Sequence, residues 1–527
     1  MEEYRRIADR VEAAVRDGRL SPGDRLPPQR VFARRHGIAN STAIRVYGEL
    51  ARRGLVVGEV GRGTFVRAAP PLPGPALAEA TGAAPVDLQL NYPVAEGQSE
   101  LMARALAALS RPDVLAEAVS GPAAATGTPE AREAAVSVLA RPGWAPDPES
   151  VLFAGNGRQA IAAALSALVP PGGRLGVETL TYPLVKAVAE RLGIRLVPLA
   201  LDDEGVRPEA LAAAHRATPL AAVYLQPTLH NPLSVTAGEG RRTELAELLR
   251  RLELTAVEDT TWAFLLPPGP VRRGAPDPRA APVPPSGPAP HGVPAPHGAL
   301  APHGALAPHG ALAPHGASAP HGAPAPHGAP APHGASAPHG ASAPHGASAP
   351  RGAPAPLAAY APERVVLVDS LSKRLAPGLT VGYLVVPGRL RTAVAEALRS
   401  GAWTAGGLAL AAATRWAGDG TVAEAVAVKR AETEARHALV RRHLGGYAVR
   451  TSPHAYYCWW ELPAPWRAET FAAAAAERAG VAVTPGSAFA VGPGSAPDAI
   501  RVGLASPPRA VLDGALARLA ALAAEGA

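Results

Sequence analysis

The chain has 527 residues, 47% of them hydrophobic, a length that allows two or three domains with a sizeable core. A single cysteine, Cys458, excludes a disulfide framework and a cysteine-rich zinc site. The charged N-terminus and the lack of any run of about 18 uncharged apolar residues predict a soluble, cytoplasmic protein without a membrane span.

Positive charge is concentrated at the N-terminus. Residues 1–67 hold 14 arginines and 8 acidic residues, an excess of six positive charges, whereas the whole chain carries +7. A basic module on a near-neutral body suggests a nucleic-acid contact. An incidentally basic surface would give the same count, so charge alone leaves both interpretations open.

Residues 1–67 are predicted to form three helices and a β-hairpin, which together make a winged helix. Apolar residues at helical spacing predict a first helix that stops at Gly18, a second over about 28–36 closed by Gly37, and a third over about 41–53. Two short strands, 55–57 and 64–66, flank a glycine-rich turn.

The third helix is the expected DNA-reading element. Its first turn would enter the major groove, the second helix would contact phosphates, and the hairpin tip would lie against the backbone. The predicted DNA-binding residues are Arg30, Asn40, Ser41, Thr42, Arg45, Arg62, Gly63 and Thr64.

The rest of the chain predicts an α/β domain. Residues 68–86 are rich in alanine and proline and are predicted to be a linker. From 87 to 527, apolar strands alternate with alanine-rich helices, which indicates a mostly parallel sheet. Residues 268–358 interrupt this domain as a predicted disordered insertion, because their proline and glycine content cannot build a packed core.

The insertion contains a six-residue repeat, Ala-Pro-His-Gly-Ala-x, over 291–350. In a polyproline II helix the histidines would share one face and could form a weak metal-binding stripe. A repeat expansion in a surface loop is the simpler interpretation, because glycine in every unit weakens that helix. We therefore predict no metal site.

Three polar signals follow three apolar strands. Asn231 comes after the strand 221–226, Asp259 follows directly after 254–258, and Lys373 comes after 365–368. Parallel strands would bring these residues to one sheet edge, where ligands of open α/β sheets bind. Lysine is also scarce, with only Lys186, Lys373 and Lys429 among 51 basic residues, and an amine can form a Schiff base whereas a guanidinium cannot.

This constellation fits pyridoxal 5′-phosphate. Lys373 would form the Schiff base, Asp259 would keep the pyridine nitrogen protonated, and Asn231 would hold the phenolate oxygen. Tyr182 could stack on the ring. The phosphate needs donors at a helix N-terminus, and two clusters supply them: Asn156, Gly157, Arg158 and Gln159, and the hydroxyls of Ser370 and Ser372.

The N-terminal module resembles the GntR family of winged helices. The resemblance rests on Gly-Asp-Arg-Leu-Pro over 23–27, Val-Tyr-Gly-Glu-Leu over 46–50 and Gly-Arg-Gly-Thr-Phe-Val over 61–66. Asn40 stands where the family often has arginine near the start of the recognition helix. Asparagine can still read adenine, so the resemblance implies DNA binding without fixing the operator.

The region from 87 onward resembles fold type I aminotransferases, through Thr-Tyr-Pro over 181–183, His-Asn-Pro over 230–232, and Ser-Leu-Ser-Lys over 370–373 followed by Pro-Gly-Leu. The resemblance implies that Arg501 clamps an α-carboxylate. Two residues depart from the pattern. Thr380 replaces a phosphate-binding arginine, and Trp262 stands near a position where relatives often have a cofactor-contacting tyrosine.

A GntR winged helix joined to such a domain resembles the MocR subfamily of regulators. The resemblance implies a homodimeric transcriptional regulator that binds operator DNA and senses pyridoxal phosphate or an amino acid or amine effector. The alternative is a catalytically active aminotransferase with an attached winged helix, which Thr380 and Trp262 disfavour. The effector, the operator, the regulated genes and the sign of regulation are not defined by the sequence.

Overall fold

The structure is a computed structural model. It describes residues 3–16, 19–20, 23–52, 55–59, 63–66, 84–120, 124–267, 354–492 and 496–525. Arg62, most of the predicted 68–86 linker and nearly all of the predicted insertion, including the histidine repeat, lie outside these residues.

The N-terminal module has the predicted winged-helix elements and one additional strand. They are α1 (Glu3–Arg16), β1 (Arg25–Leu26), α2 (Gln29–His36), α3 (Asn40–Arg52), β2 (Val56–Glu59) and β3 (Gly63–Val66), with the strands in the order β1-β3-β2. Gly37 ends α2 at φ 64°, in the left-handed region that favours glycine. Ile7, Phe32, Val46 and Leu50 form part of the buried core, which explains the helical spacing of apolar residues.

The second module alternates strands and helices as predicted. Its strands are β4 (Val86–Asp87), β5 (Val151–Ala154), β6 (Arg174–Glu178), β7 (Arg195–Leu199), β8 (Leu201–Asp202), β9 (Gly205–Val206), β10 (Ala222–Leu225), β11 (Thr255–Asp259), β12 (Val365–Ser370), β13 (Gly382–Val385), β14 (Ala448–Arg450), β15 (Tyr457–Glu461), β16 (Val481–Ala482), β17 (Thr484–Pro485) and β18 (Ala499–Gly503).

Its helices are α4 (Gln98–Ala107), α5 (Pro112–Ser120), α6 (Pro129–Leu139), α7 (Gly157–Leu168), α8 (Pro183–Arg191), α9 (Pro208–Ala217), α10 (Glu239–Arg251), α11 (Leu357–Tyr360), α12 (Leu371–Arg374), α13 (Gly388–Ser400), α14 (Gly407–Gly418), α15 (Thr421–Leu444), α16 (Ala468–Arg478) and α17 (Arg509–Ala524).

A large sheet organises this module. In the described part of the chain it has seven strands in the order β5-β13-β12-β11-β10-β6-β7, and β13 alone runs antiparallel to its neighbours. Residues of β10, β11 and β12 are all buried, and apolar clusters pack on both faces. Burial on both faces explains why these strands read as continuous apolar runs rather than alternating ones.

A smaller antiparallel sheet, in the order β14-β15-β18-β17, carries the C-terminal part of the module. It packs against α15, α16 and α17 through a separate apolar cluster that includes Trp460, Phe471 and Leu516. The two-residue strand β4 pairs in parallel with β16 beside this sheet. The sequence predicted neither short strand, because two residues give no periodicity.

One expected boundary needs correction. Residues 354–358 were assigned to the disordered insertion, but Leu357 and Ala358 are buried and begin α11. Their backbone N–H groups donate to the Glu258 carboxylate at 2.7 and 2.9 Å, so the folded module resumes before 358. None of the described helices is long and apolar enough to cross a membrane.

Candidate functional site

The predicted strand-end residues converge on one cavity of about 250 Å³. Asp259 is the last residue of β11, and Lys373 lies on the short helix that follows β12. Because β10, β11 and β12 run parallel, their carboxyl ends share one edge of the sheet. The cavity-lining residues that the sequence predicted are Asn156, Gly157, Arg158, Tyr182, Asn231, Asp259, Trp262, Ser370, Ser372, Lys373 and Arg501.

Gln159 was also predicted to bind the cofactor, but it is not among the lining residues. Its backbone N–H donates 3.0 Å to the side chain of Asn156, which caps the N-terminus of α7. Its side-chain oxygen is directed toward Gly155. Gln159 therefore belongs to the helix cap and not to the cavity wall.

The Asp259 carboxylate is held by three donors. The hydroxyl of Tyr224 donates at 2.6 Å, the Gln226 side chain at 3.3 Å and the backbone N–H of Thr261 at 2.9 Å. Burial, reinforced by the negative charge of Asp259, raises the pKa of Tyr224 well above its ordinary value, so Tyr224 stays a donor. The three hydrogen bonds fix the position of the carboxylate in the cavity wall.

Lys373 reaches into the centre of the cavity. Its amine donates to the carbonyl oxygen of Asn91 at 2.7 Å, and lies 3.6 Å from the ring centre of Tyr92 and 5.2 Å from that of Trp262. Burial lowers the pKa of this amine well below its ordinary value, and the positive charges of Arg158 and Arg501 lower it further. An amine that loses its proton readily is suited to nucleophilic attack.

The N-terminus of α7 forms the other end of the cavity. A Cβ atom on Gly157 would lie 3.0 Å from the Ser370 hydroxyl oxygen, so glycine permits this close approach. Arg158 donates to the Tyr92 hydroxyl at 2.8 Å. Ser372 and Thr380 share a hydrogen bond of 2.7 Å, so Thr380 contacts the serine that lines the cavity without lining it itself.

Arg501 lies on β18 of the smaller sheet and closes the cavity from that side. One terminal nitrogen donates to the carbonyl oxygen of Gln89 and to the Thr484 hydroxyl, the latter at 3.3 Å. Its Nε is buried without a hydrogen-bond partner among the described residues. Burial lowers the pKa of the guanidinium to about 10, which leaves it charged at neutral pH.

Sequence reasoning missed several lining residues and Tyr224, which holds Asp259 without lining the cavity. Gln226 ends an apolar strand in the same way as Asp259 and could have been found by that rule. Tyr224 lies inside the strand β10, where a buried tyrosine is unremarkable in sequence. Residues 89–92 have no comparable signal, because only the tertiary fold brings this segment to the cavity.

The predicted DNA-reading residues that the structure describes lie at or near the surface of the winged helix. Asn40, Ser41 and Arg45 are exposed on α3, Thr42 is half-buried, and the buried Val46 and Leu50 fix the opposite face. Arg30 is exposed on α2, and Gly63 and Thr64 are half-buried at the start of β3.

Two residues refine this picture. The guanidinium of Arg45 lies 4.2 Å from the ring centre of Tyr4, so α1 orients its side chain. Ile44 is 50% exposed beside it and adds an apolar group to the α3 surface.

Comparison with known proteins agrees with this two-part architecture. Residues 3–66 match the model of bacterial regulatory proteins of the gntR family, and residues 339–519 match that of aminotransferase class I and II. The uncharacterized HTH-type transcriptional regulator YdeF of Bacillus subtilis (strain 168) is 24% identical over 504 residues, which cover 96% of this chain and 90% of that protein.

The HTH-type pyridoxine biosynthesis transcriptional regulator PdxR of Corynebacterium glutamicum is 25% identical over 284 residues, covering 51% of this chain and 60% of that protein. Among solved structures, an archaeal alanine:glyoxylate aminotransferase aligns with a TM-score of 0.62 at 19% identity, over 84% of this chain and 91% of that one. A kynurenine aminotransferase of Pyrococcus horikoshii aligns with a TM-score of 0.60 at 18% identity, over 84% and 92%. These similarities confirm the predicted fold of the second module.

Proposed function

Because the chain joins a gntR-family regulatory domain to an aminotransferase class I and II domain, as in the MocR subfamily, we propose that it is a transcriptional regulator that binds pyridoxal 5′-phosphate and an amine or amino acid effector. The observation that carries this proposal is the convergence of Lys373, Asp259 and Asn231 on one cavity. Each supplies a group that the cofactor needs.

The cavity passes a test of fit. The side-chain oxygen of Asn231 is buried without a partner among the described residues, so no hydrogen bond to that atom prevents the amide from turning. Rotation about the last side-chain bond would direct its NH2 group, a donor, toward a ring oxygen. Asp259 presents to the cavity a carboxylate held by three donors, the group that a protonated pyridine nitrogen needs as its partner. Ser370, Ser372 and the N-terminus of α7 present donors for a phosphate. Pyridoxal phosphate, when bound, supplies an aldehyde that condenses with primary amines.

Each residue then has a proposed role. Lys373 would hold the cofactor covalently, Asp259 would pair with the ring nitrogen and Asn231 with the ring oxygen. Tyr182 and Trp262 would border the ring. Asn156, Gly157, Arg158, Ser370 and Ser372 would surround the phosphate, and Arg158 would supply the positive charge that Thr380 cannot.

Arg501 would select ligands that carry a carboxylate. Its free Nε and its neighbouring terminal nitrogen form the edge of the guanidinium that binds a carboxylate in a bidentate manner. An amino acid effector would therefore place its amine toward Lys373 and its carboxylate on Arg501. This arrangement favours amino acids over simple amines as effectors.

The winged helix would bind double-stranded operator DNA. The exposed residues of α3 would enter the major groove, Arg30 would contact phosphate, and the hairpin, including Arg62, would lie against the backbone. We propose a homodimer, because paired winged helices match two-fold symmetric operators. The segment between the two modules would carry the response to the effector.

A working aminotransferase is the second candidate, and the presence of Lys373 and Arg501 in the same cavity favours it. One experiment separates the candidates. The purified chain is loaded with pyridoxal phosphate and mixed with each of the twenty amino acids and with an α-keto acid as amino acceptor. It is then assayed for the keto acid formed from each amino acid and for binding to DNA that it selects from a random pool. Selected DNA whose affinity changes with an amino acid, without keto-acid turnover, supports the regulator. Sustained turnover with no DNA selection contradicts it.

A further inference from the structure

Residues 86–92 form a continuous segment between the small sheet and the cavity, here called the strap. At its start, Val86 N–H donates to the Gly480 carbonyl at 3.1 Å and Leu88 N–H to that of Ala482 at 2.8 Å. The Leu88 carbonyl accepts from Gly503 N–H at 2.8 Å. A Cβ on Gly503 would lie 2.6 Å from the Leu88 carbonyl oxygen, so the strap is packed tightly on β18.

The other end of the strap contacts the basic side chains of the cavity. Arg501 donates to the Gln89 carbonyl, and Lys373 donates to the Asn91 carbonyl at 2.7 Å. The Tyr92 ring lies on the Lys373 amine, and its hydroxyl accepts from Arg158. Contacts through Gln89, Asn91 and Tyr92 thus connect the strap to all three basic side chains that the proposed function assigns to ligands.

These contacts use groups that a ligand would need. A carboxylate bound along the Nε edge of Arg501 would require the terminal nitrogen that now donates to Gln89. A carboxylate is the stronger acceptor for a guanidinium, because it carries the opposite charge and can accept two parallel hydrogen bonds, whereas the Gln89 carbonyl is neutral and accepts one. Ligand binding is therefore expected to break the contact between Arg501 and Gln89.

The strap also lies at the junction with the N-terminal module, because it follows directly on the predicted linker 68–86. We propose that residues 86–92 act as an internal competitor for the effector site, held by Arg501 and Lys373 and released when a carboxylate ligand takes Arg501. Release would change the anchoring of the linker and so the placement of the winged helix on DNA. This inference rests on the proposed function, because it takes Arg501 to be the effector clamp.

Hydrogen–deuterium exchange of the full chain tests the strap without knowledge of the effector. The N–H groups of Gln89 and Leu90 donate to Asp87, and that of Tyr92 donates to Ser506, so these amides report on the strap directly. In Arg501→Gln their exchange should rise about tenfold, the effect of losing one hydrogen bond. Arg501→Lys, which keeps one donor, should restore part of the protection.

Arg364→Gln is the matched control, because Arg364 also donates to a backbone carbonyl, that of Glu253, on the exposed surface. It should leave exchange over 86–92 unchanged. Tyr92→Leu is the second variant in case Arg501→Gln does not fold, since it removes the ring from Lys373 and the acceptor from Arg158. It too should raise exchange in the strap.

The affinity for DNA selected by the wild-type chain from a random pool tests the coupling. Arg501→Gln and Tyr92→Leu should each change the dissociation constant at least severalfold without any small molecule present, whereas Arg364→Gln should not. Unchanged hydrogen exchange over 86–92 in both folded variants, or unchanged DNA affinity despite faster exchange, contradicts the proposal that the strap competes with the effector and controls DNA binding. A wild-type chain that binds neither pyridoxal phosphate nor selected DNA overturns the proposed function instead.

Discussion

The buried amine of Lys429, on α15, donates hydrogen bonds to the backbone carbonyl oxygens of Lys373 and Leu375, over 3.2 and 2.5 Å. Two of the three lysines in the chain are therefore neighbours, and one holds the backbone that carries the other. Burial lowers the pKa of Lys429 from 10.5 to about 7. The position of the proposed cofactor lysine thus depends on a group that titrates near neutral pH.

The first prediction concerns this titration. Between pH 7 and pH 10.5 the unfolded chain carries a proton on Lys429 that the folded chain lacks, so the free energy of unfolding should rise with pH in this range, by up to about 1.4 kcal/mol per pH unit from this group. Below pH 7 both states are protonated and the dependence ends. Lys429→Met should lack this contribution in urea titrations, and parallel pH profiles for the two proteins would contradict the prediction.

The second prediction concerns Lys373. Lys373→Ala should abolish the visible absorbance band of covalently held pyridoxal phosphate, because Lys373 is the only lysine among the described residues that line the cavity. Lys186→Ala is the control, since its amine donates to the carbonyls of Ala488 and Ala490 and does not line the cavity. A visible band in the Lys373 variant that borohydride bleaches, as it does for an imine, would contradict the assignment.

The third prediction concerns Arg158, which we propose binds the phosphate in place of the arginine that Thr380 replaces. Arg158→Ala should weaken pyridoxal phosphate binding at least about tenfold, because a hydrogen bond to a charged group contributes about 1.5–3 kcal/mol. Equilibrium dialysis measures the change. Unaltered affinity for pyridoxal phosphate would show that Arg158 contributes only its hydrogen bond to Tyr92 and no contact to the phosphate.

A fourth prediction concerns Thr380, the position from which the phosphate-binding arginine is missing. It tests whether an arginine placed there can replace Arg158. Thr380 also borders a separate apolar cavity of about 570 Å³. This free volume beside the backbone of residue 380 can accommodate the longer side chain of an arginine. Thr380→Arg should recover affinity in the Arg158→Ala background, whereas Thr380→Ser, which keeps the hydroxyl beside Ser372, should not. Equal affinities of the two double variants for pyridoxal phosphate would contradict the proposal that an arginine at position 380 can replace Arg158.

The fifth prediction separates sequence reading from phosphate contact in the winged helix. Asn40→Ala should cost about 1–3 kcal/mol on selected DNA and relax the selected sequence, because asparagine reads adenine through two hydrogen bonds. Arg30→Ala should weaken binding to all sequences and reduce the slope of log affinity against log salt by about one. Arg518→Ala, on α17, is the control, and a similar effect of all three variants would contradict these roles.

The sequence by itself determined the elements and their local order. Apolar spacing and the caps at Gly37 and Asn156 define helices within a few residues, and continuous apolar runs define β10, β11 and β12 as buried strands. Because parallel strands end at one edge, the convergence of Asn231, Asp259 and Lys373 could be predicted without coordinates. Arg501 entered only through the family resemblance.

The tertiary structure decided the contacts that connect distant parts of the chain. Gln89 and Arg501 are 412 positions apart, and Lys429 and Lys373 are 56 apart, so no local pattern relates them. The strands β4 and β16 are too short for periodicity, and Tyr224 is an ordinary apolar-strand residue until Asp259 lies beside it. Local propensity and periodicity encode which residues face a core, whereas the partner of each buried polar group follows from how the sheets and helices pack.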